Sequence, residues 1–154
     1  MTSDRCDGTA GLGEKKSVSF VVRNGGSVLI VQRPADDEDL PNAWGLPAAS
    51  LRPGESWQAA VVRAGREKLG VELKVGKELR SGSLERKQYR LAMKLFETEI
   101  VSGTPVVPQT NANVTQYRDW KWGSAEDLLP AAAQGSLCCR LFLEAIRLQQ
   151  HSPK

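Results

Sequence analysis

The stretch "PAASLRPGESWQAAVVRAGREKLGVEL", Pro47–Leu73, decides how the rest of the 154-residue chain is read. "RPGES" has the composition of a turn, and Ser56 stands where a helix N-cap belongs. From there Trp57, Ala60, Val61, Ala64, Gly65 and Leu69 recur at the i, i+3, i+4 spacing of one buried stripe, so the spacing predicts a single helix over 57–69. Gly70 supplies its stop, and "VELKVGKELRSG" begins a strand. Within the helix, "AGREK" (Ala64–Lys68) sets one glutamate beside a lysine.

Upstream, "SVSFVVR" and "SVLIVQRP" are two arms of a hairpin about Asn24-Gly25, a pair suited to positive φ. "ADDEDLPNAW" is an acidic loop, with Asp36, Asp37, Glu38 and Asp39 expected to be solvated, and "WGLPAASL" is a short strand. Downstream, Tyr89, Leu91, Met93 and Leu95 alternate along "QYRLAMKLFETEIVS", as in a half-buried strand. "VTQYRDWKW" is a further strand candidate. "SAEDLLPAAAQG" opens a short helix with Ser124 as N-cap and Glu126 and Asp127 in its first turn, and "SLCCRLFLEAIRLQQ" is a last amphipathic helix. The order of elements predicts one mixed α+β domain over 16–148, preceded by a polar, mobile tail over 1–15.

The bulk properties fit that outline. Apolar residues make up 40% of the chain and charged residues 25%, in the range of ordinary globular proteins. A net charge of +3 suits a phosphate-bearing ligand and is too small to point to a nucleic-acid duplex. No apolar run is long enough to span a bilayer, and "MTSDRCDGTAGLGEKK" lacks the apolar core of a signal peptide. The three cysteines, Cys6, Cys138 and Cys139, show no CxxC spacing, and the adjacent pair is better suited to helix packing than to a disulfide. A reducing cytoplasm is the expected setting. The one histidine, His151, lies in the closing "QQHSPK", which argues against histidine-based triad chemistry and histidine-rich metal sites.

With these residues in place, Ala49–Val71 resembles the Nudix box, whose pattern is G, five residues, E, seven residues, then R-E-U-x-E-E-x-G-U with U a large apolar residue. Glu55 falls on the first glutamate, Arg63 on the arginine, Glu67 on the first of the paired glutamates, Gly70 on the glycine and Val71 on the last apolar position. "VLIVQRP" and "WGLP" resemble the family's approach to the box, and "WKWGSAEDL" resembles its late tryptophan strand. The resemblance implies a Nudix-type α/β/α sandwich with a central mixed β-sheet. It also implies a hydrolase that cleaves the pyrophosphate bond of nucleoside diphosphate-linked compounds with magnesium or manganese. The departures are Ala49 for the opening glycine, Ala64 for the second glutamate of the pattern, Gly65 for an apolar residue and Lys68 for the last glutamate.

In family members those helix glutamates hold the metal, because magnesium favours several hard oxygen ligands. Here Glu67 alone remains. An ammonium about 4 Å from a divalent ion costs at most roughly 8 kcal/mol at an effective dielectric near 20. The expected metal is therefore a weakly held magnesium or manganese ion, or none, with Lys68 available to pair with phosphate in its place.

The sequence thus nominates Glu67 and Lys68 as catalytic residues and Glu67 and Asp119 as metal ligands, with Glu97 or Glu99 in reach. Arg86 and Arg90, with Lys87, could collect phosphates or guard a strand edge. Trp122 could stack on a base, as could Trp44, Tyr89 and Trp120, or pack in a core. Glu55 and Arg63 are expected to be a structural pair, and Glu67 fits an ion pair with Arg63 as well as it fits a ligand. The expected partner is a nucleotide-type small molecule, with no nucleic-acid duplex and no membrane, and a homodimer is left open. Two functions compete: a hydrolase with a depleted metal site, and a non-catalytic module that binds a nucleotide or a protein.

Overall fold

The computed structural model describes residues 13–37, 39–86, 88–109 and 115–150, with side chains through 147. The expectations for Cys6, Glu38, Lys87 and His151, and for most of the tail, fall outside these residues.

Seven strands form one sheet. They are β1 (Gly13–Asn24), β2 (Ser27–Gln32), β3 (Trp44–Gly45), β4 (Ala48–Ser50), β5 (Glu72–Glu85), β6 (Tyr89–Ser102) and β7 (Asp119–Gly123). The path runs β3-β2-β1-β6-β5, with β4 paired to β1 and β7 to β2. β1 and β6 are parallel, from Gly13 beside Tyr89 to Val22 beside Thr98, and the other pairings are antiparallel, so the sheet is mixed. Helix α1 (Trp57–Ala64) lies on one face, while α2 (Leu129–Ala133) and α3 (Leu137–Gln150) lie on the other.

Alternation along the strands builds this sandwich, because successive side chains point to opposite faces. Val18, Phe20, Val22, Leu29, Val31 and Phe96 pack with Ala60, Val61 and Ala64 of α1. Val21, Val28, Ile30, Leu91, Met93 and Leu95 pack with Leu137, Cys138, Leu141 and Phe142 of α3. No helix among the described residues is long and apolar enough to cross a membrane.

Four local expectations are revised. Strand β1 starts at Gly13, inside the segment read as tail, because its first residues find a ready partner in the start of β6. "WGLPAASL" is two strands rather than one. Pro47 has no N–H to give, and its carbonyl is turned to Phe20 N and Ser19 Oγ instead. "VTQYRDWKW" is strand only over Asp119–Gly123, since the Tyr117 hydroxyl is committed to the backbone of Ala48.

Helix α1 ends at Ala64, and the chain continues as a π-helical turn over Gly65–Leu69 before Gly70 closes it at φ 72°. The room for that turn comes from Gly65: a Cβ there would stand 2.6 Å from Cδ1 and 2.8 Å from Cγ of Leu73. The wider turn re-aims the side chains that follow, as such turns often do at functional sites.

Candidate functional site

Arg63 is the hub of the turn-helix unit. Its Nε and Nη2 donate to the two carboxylate oxygens of Glu55 at 2.7 and 2.9 Å, and Nη2 also reaches the Ser50 carbonyl at 2.8 Å. The Arg63 guanidinium, by its hydrogen bonds, holds the Glu55 carboxyl below the usual carboxylate range, assisted by the Arg52 N–H donating at 2.9 Å. Glu55 in turn raises the pKa of Arg63. The pair fastens β4 and the turn to α1, the structural role expected from sequence.

Glu67 takes the ion-pair use of its spacing. Its Oε1 accepts from Arg52 Nη2 at 3.0 Å and from Arg63 Nη1 at 3.3 Å, while Oε2 has no protein partner among the described residues. Lys68, the next residue along the π turn, points inward and is 9% exposed. Its ammonium donates to the Ala48 carbonyl at 2.7 Å and sits 5.1 Å from the centre of the Tyr117 ring. Tyr117 clasps the same Ala48: its hydroxyl accepts from the Ala48 N–H at 2.9 Å and donates to the carbonyl at 3.1 Å. No carboxylate among the described residues lies within ion-pair reach of Lys68.

Lys68 opens on a cavity of about 660 Å³, within the range of small-ligand sites. Lys15, Arg86, Ser50 and Gln116 contribute polar groups to its wall, and Tyr89, Leu91 and Met93 contribute apolar surface. The loop after β2 lines the same cavity, with Arg33, Asp36, Asp37 and Asp39. Asp37 is committed to that loop, pairing with Arg33 at 3.3 Å and accepting from Leu40 N at 2.8 Å. Lys15 lies 5.3 Å over the Tyr89 ring.

Of the residues nominated from sequence, Lys68, Arg86 and Tyr89 line this cavity. Glu67, Arg90, Asp119, Trp122, Glu97 and Glu99 do not. Glu67 is turned to the arginines; Arg90 is exposed, 4.0 Å from Glu85; and Asp119 accepts from the adjacent Trp120 N–H. Trp122 is 37% exposed and meets Trp120 edge-on at 5.8 Å. Glu97 pairs with Arg23 at 2.8 Å, and Glu99 is exposed. Lys15, Arg33 and Tyr117 were not singled out from sequence. Lys15 fell in the segment read as tail, and the polar run Gly13–Lys16 carries no alternation that marks it as strand.

A divalent ion does not fit the donors that the helix presents. Position 64 carries a methyl group, position 68 a cation, and the one carboxylate has an oxygen engaged by two arginines. Among the described residues no group of three His, Cys, Asp or Glu side chains could enclose a metal ion.

The comparisons with known proteins bear on the family and the fold. A family model described as "NUDIX domain" matches residues 13–137. A CTP pyrophosphohydrolase of Escherichia coli (strain K12) is 35% identical over 68 residues, covering 44% of this chain and 50% of that protein, so the match spans only half its relative's length. Among solved structures, a MutT protein from Methanosarcina mazei Go1 superposes with a TM-score of 0.69 at 19% identity, covering 90% of this chain and 96% of that one. A NUDIX hydrolase from Nitrosomonas europaea superposes with a TM-score of 0.71 at 17% identity, covering 91% and 93%. At those identities the likeness concerns the fold.

Proposed function

The chain belongs to the NUDIX family, and from that premise we propose that it is a pyrophosphohydrolase of nucleoside diphosphate-linked compounds, working slowly from a site depleted of metal ligands. The observation that carries the reading is the cavity beside the box helix, walled by Lys15, Lys68 and Arg86, none of them paired with a carboxylate among the described residues. Of these Lys68 is buried and Lys15 exposed, and a buried cation without a counter-charge of its own is costly unless an anion joins it. A diphosphate supplies that anion, and the apolar wall of Tyr89, Leu91 and Met93 suits the nucleoside or the linked group.

In this reading the cations draw charge onto the non-bridging oxygens. The oxygen of a water molecule forms a bond to one phosphorus, and the bridging P–O bond breaks, its electron pair leaving with the departing phosphate. Glu67 does not line the cavity, so its Oε2 takes the water's proton only where the ligand extends past the cavity wall. The arginines on Oε1 hold it away from the cavity, which is why low activity is expected. Arg90, Trp122 and Asp119 enter only with a ligand that extends past the cavity wall. Magnesium or manganese is assigned no step. The free, buried thiols of Cys138 and Cys139 suit a reducing cytoplasm.

A phosphate-release screen tests the proposal, run over nucleoside triphosphates, dinucleoside polyphosphates and nucleotide sugars with chelator, magnesium or manganese. Slow turnover of at least one class, lost in Glu67→Gln, is the expected result. The engagement of Glu67 by Arg52 and Arg63 favours a second reading, a nucleotide-binding module without catalysis. That reading prevails if nucleotides raise the melting temperature and no class turns over.

A further inference from the structure

We propose that Lys68 is a built-in counter-ion for a diphosphate group, so that the cavity binds inorganic pyrophosphate and nucleoside diphosphates with no divalent cation. The inference rests on the reading above only in taking the ligand to be a diphosphate; it does not require turnover.

Lys68 is nine-tenths buried, yet its ammonium makes one hydrogen bond, to the Ala48 carbonyl at 2.7 Å. An ammonium has three donors, so two remain, and the Tyr117 ring at 5.1 Å steadies the charge without cancelling it. On the same cavity wall, the Nε of Arg86 is buried with no acceptor, and its Nη2 reaches the Gly135 carbonyl only at 3.3 Å. Lys68 and Arg86 line one space, and although the Arg86 Nε is itself shielded from it, both side chains bring positive charge there. A diphosphate brings several acceptor oxygens and at least two negative charges to that space, meeting the hydrogen-bond need and the charge together.

A divalent ion placed there meets the opposite situation. Lys68 repels it, Ala64 offers no oxygen, and Glu67 is held by two arginines. The position that resembles a metal-binding glutamate in other family members carries its own positive charge here, anchored by Ala48 and Tyr117 rather than left to swing free. Phosphate that would be bridged to a carboxylate through a metal can contact the protein directly.

Calorimetric titration of the full chain tests this, with inorganic pyrophosphate, CDP and cytidine as probes, in excess chelator and again in magnesium. Pyrophosphate and CDP are expected to bind in chelator with affinities within about threefold of those in magnesium, and cytidine much more weakly than CDP. Lys68→Met, which keeps the stem and removes the charge, is expected to weaken both by about tenfold or more. Lys68→Glu is expected to abolish binding in chelator and restore it with magnesium.

Binding of wild type that appears only with a divalent ion overturns the proposal, as does unchanged affinity in a folded Lys68→Met protein, or cytidine binding as tightly as CDP. If Lys68→Met does not fold, the chelator comparison on wild type decides alone. The phosphate-release screen keeps the two readings apart. Turnover together with binding that appears only with a divalent ion sinks the counter-ion and leaves the hydrolase, whereas metal-free binding without turnover does the reverse.

Discussion

Arg63 shows how one residue can serve a fold while lying next to a reactive position. It satisfies Glu55, Glu67 and the Ser50 carbonyl at once, with its side chain 13% exposed and that of Glu55 12% exposed. Arg63→Met strands a nearly buried carboxylate and is expected to cost about 2–4 kcal/mol, read from urea denaturation. The same pair sets a pH dependence. The folded-state pKa of Glu55 is depressed by its hydrogen bonds to Arg63, so its contribution is complete above the ordinary carboxylate value of 4.5 and is lost as pH falls through the lower folded value. Acid titration of stability should therefore show a loss below about pH 4.5 that is absent in Arg63→Met. The Glu55–Arg63 pair was legible in the sequence because turn and helix bring residues eight apart together regardless of the rest of the chain. The burial of Lys68 was not. A lysine beside a glutamate reads as solvated, and only the geometry of the turn sends it inward.

At the scale of the element, the box helix is two helices of different pitch. Ser56 caps its start, accepting from Ala59 N at 3.0 Å as the sequence indicated, and Ser56→Ala is expected to cost about 1 kcal/mol in thermal or urea unfolding. The π turn at its end depends on Gly65 leaving space that Leu73 fills. Gly65→Leu, which restores the apolar residue of the family pattern, is expected to destabilise by about 2–3 kcal/mol through overpacking. Adding Leu73→Ala should recover part of that loss, a non-additivity that a double-mutant cycle would measure. The helix stripe and its Gly70 stop were readable from spacing alone. The change of pitch was not, since it follows from a contact with a strand eight residues further on and leaves the stripe's periodicity nearly unaltered.

Taken as one body, the protein has two cores separated by a sheet. Their existence was legible because Val18, Phe20 and Val22 alternate with Val21, and Leu29 and Val31 with Val28 and Ile30, leaving both faces apolar. The strand order was not legible, because pairing between β1 and β6 is set by what remains available after the hairpins form. Cys138 and Cys139, in the first turn of α3, are buried in the core at 2% and 0% exposure. In a Cys6→Ser background neither is expected to react with a bulky disulfide reagent in native buffer, while both should titrate in urea. A fast native reaction of either would mean that α3 does not stay docked. The parallel pairing of Gly13 with Tyr89 through Val22 with Thr98 also sets an order in time. As the polypeptide leaves the ribosome, its first ribbon must wait for the partner that completes the middle of the sheet. Meanwhile its apolar edge is open to chaperones and to other nascent copies, and heterologous production should improve when translation across that interval is fast.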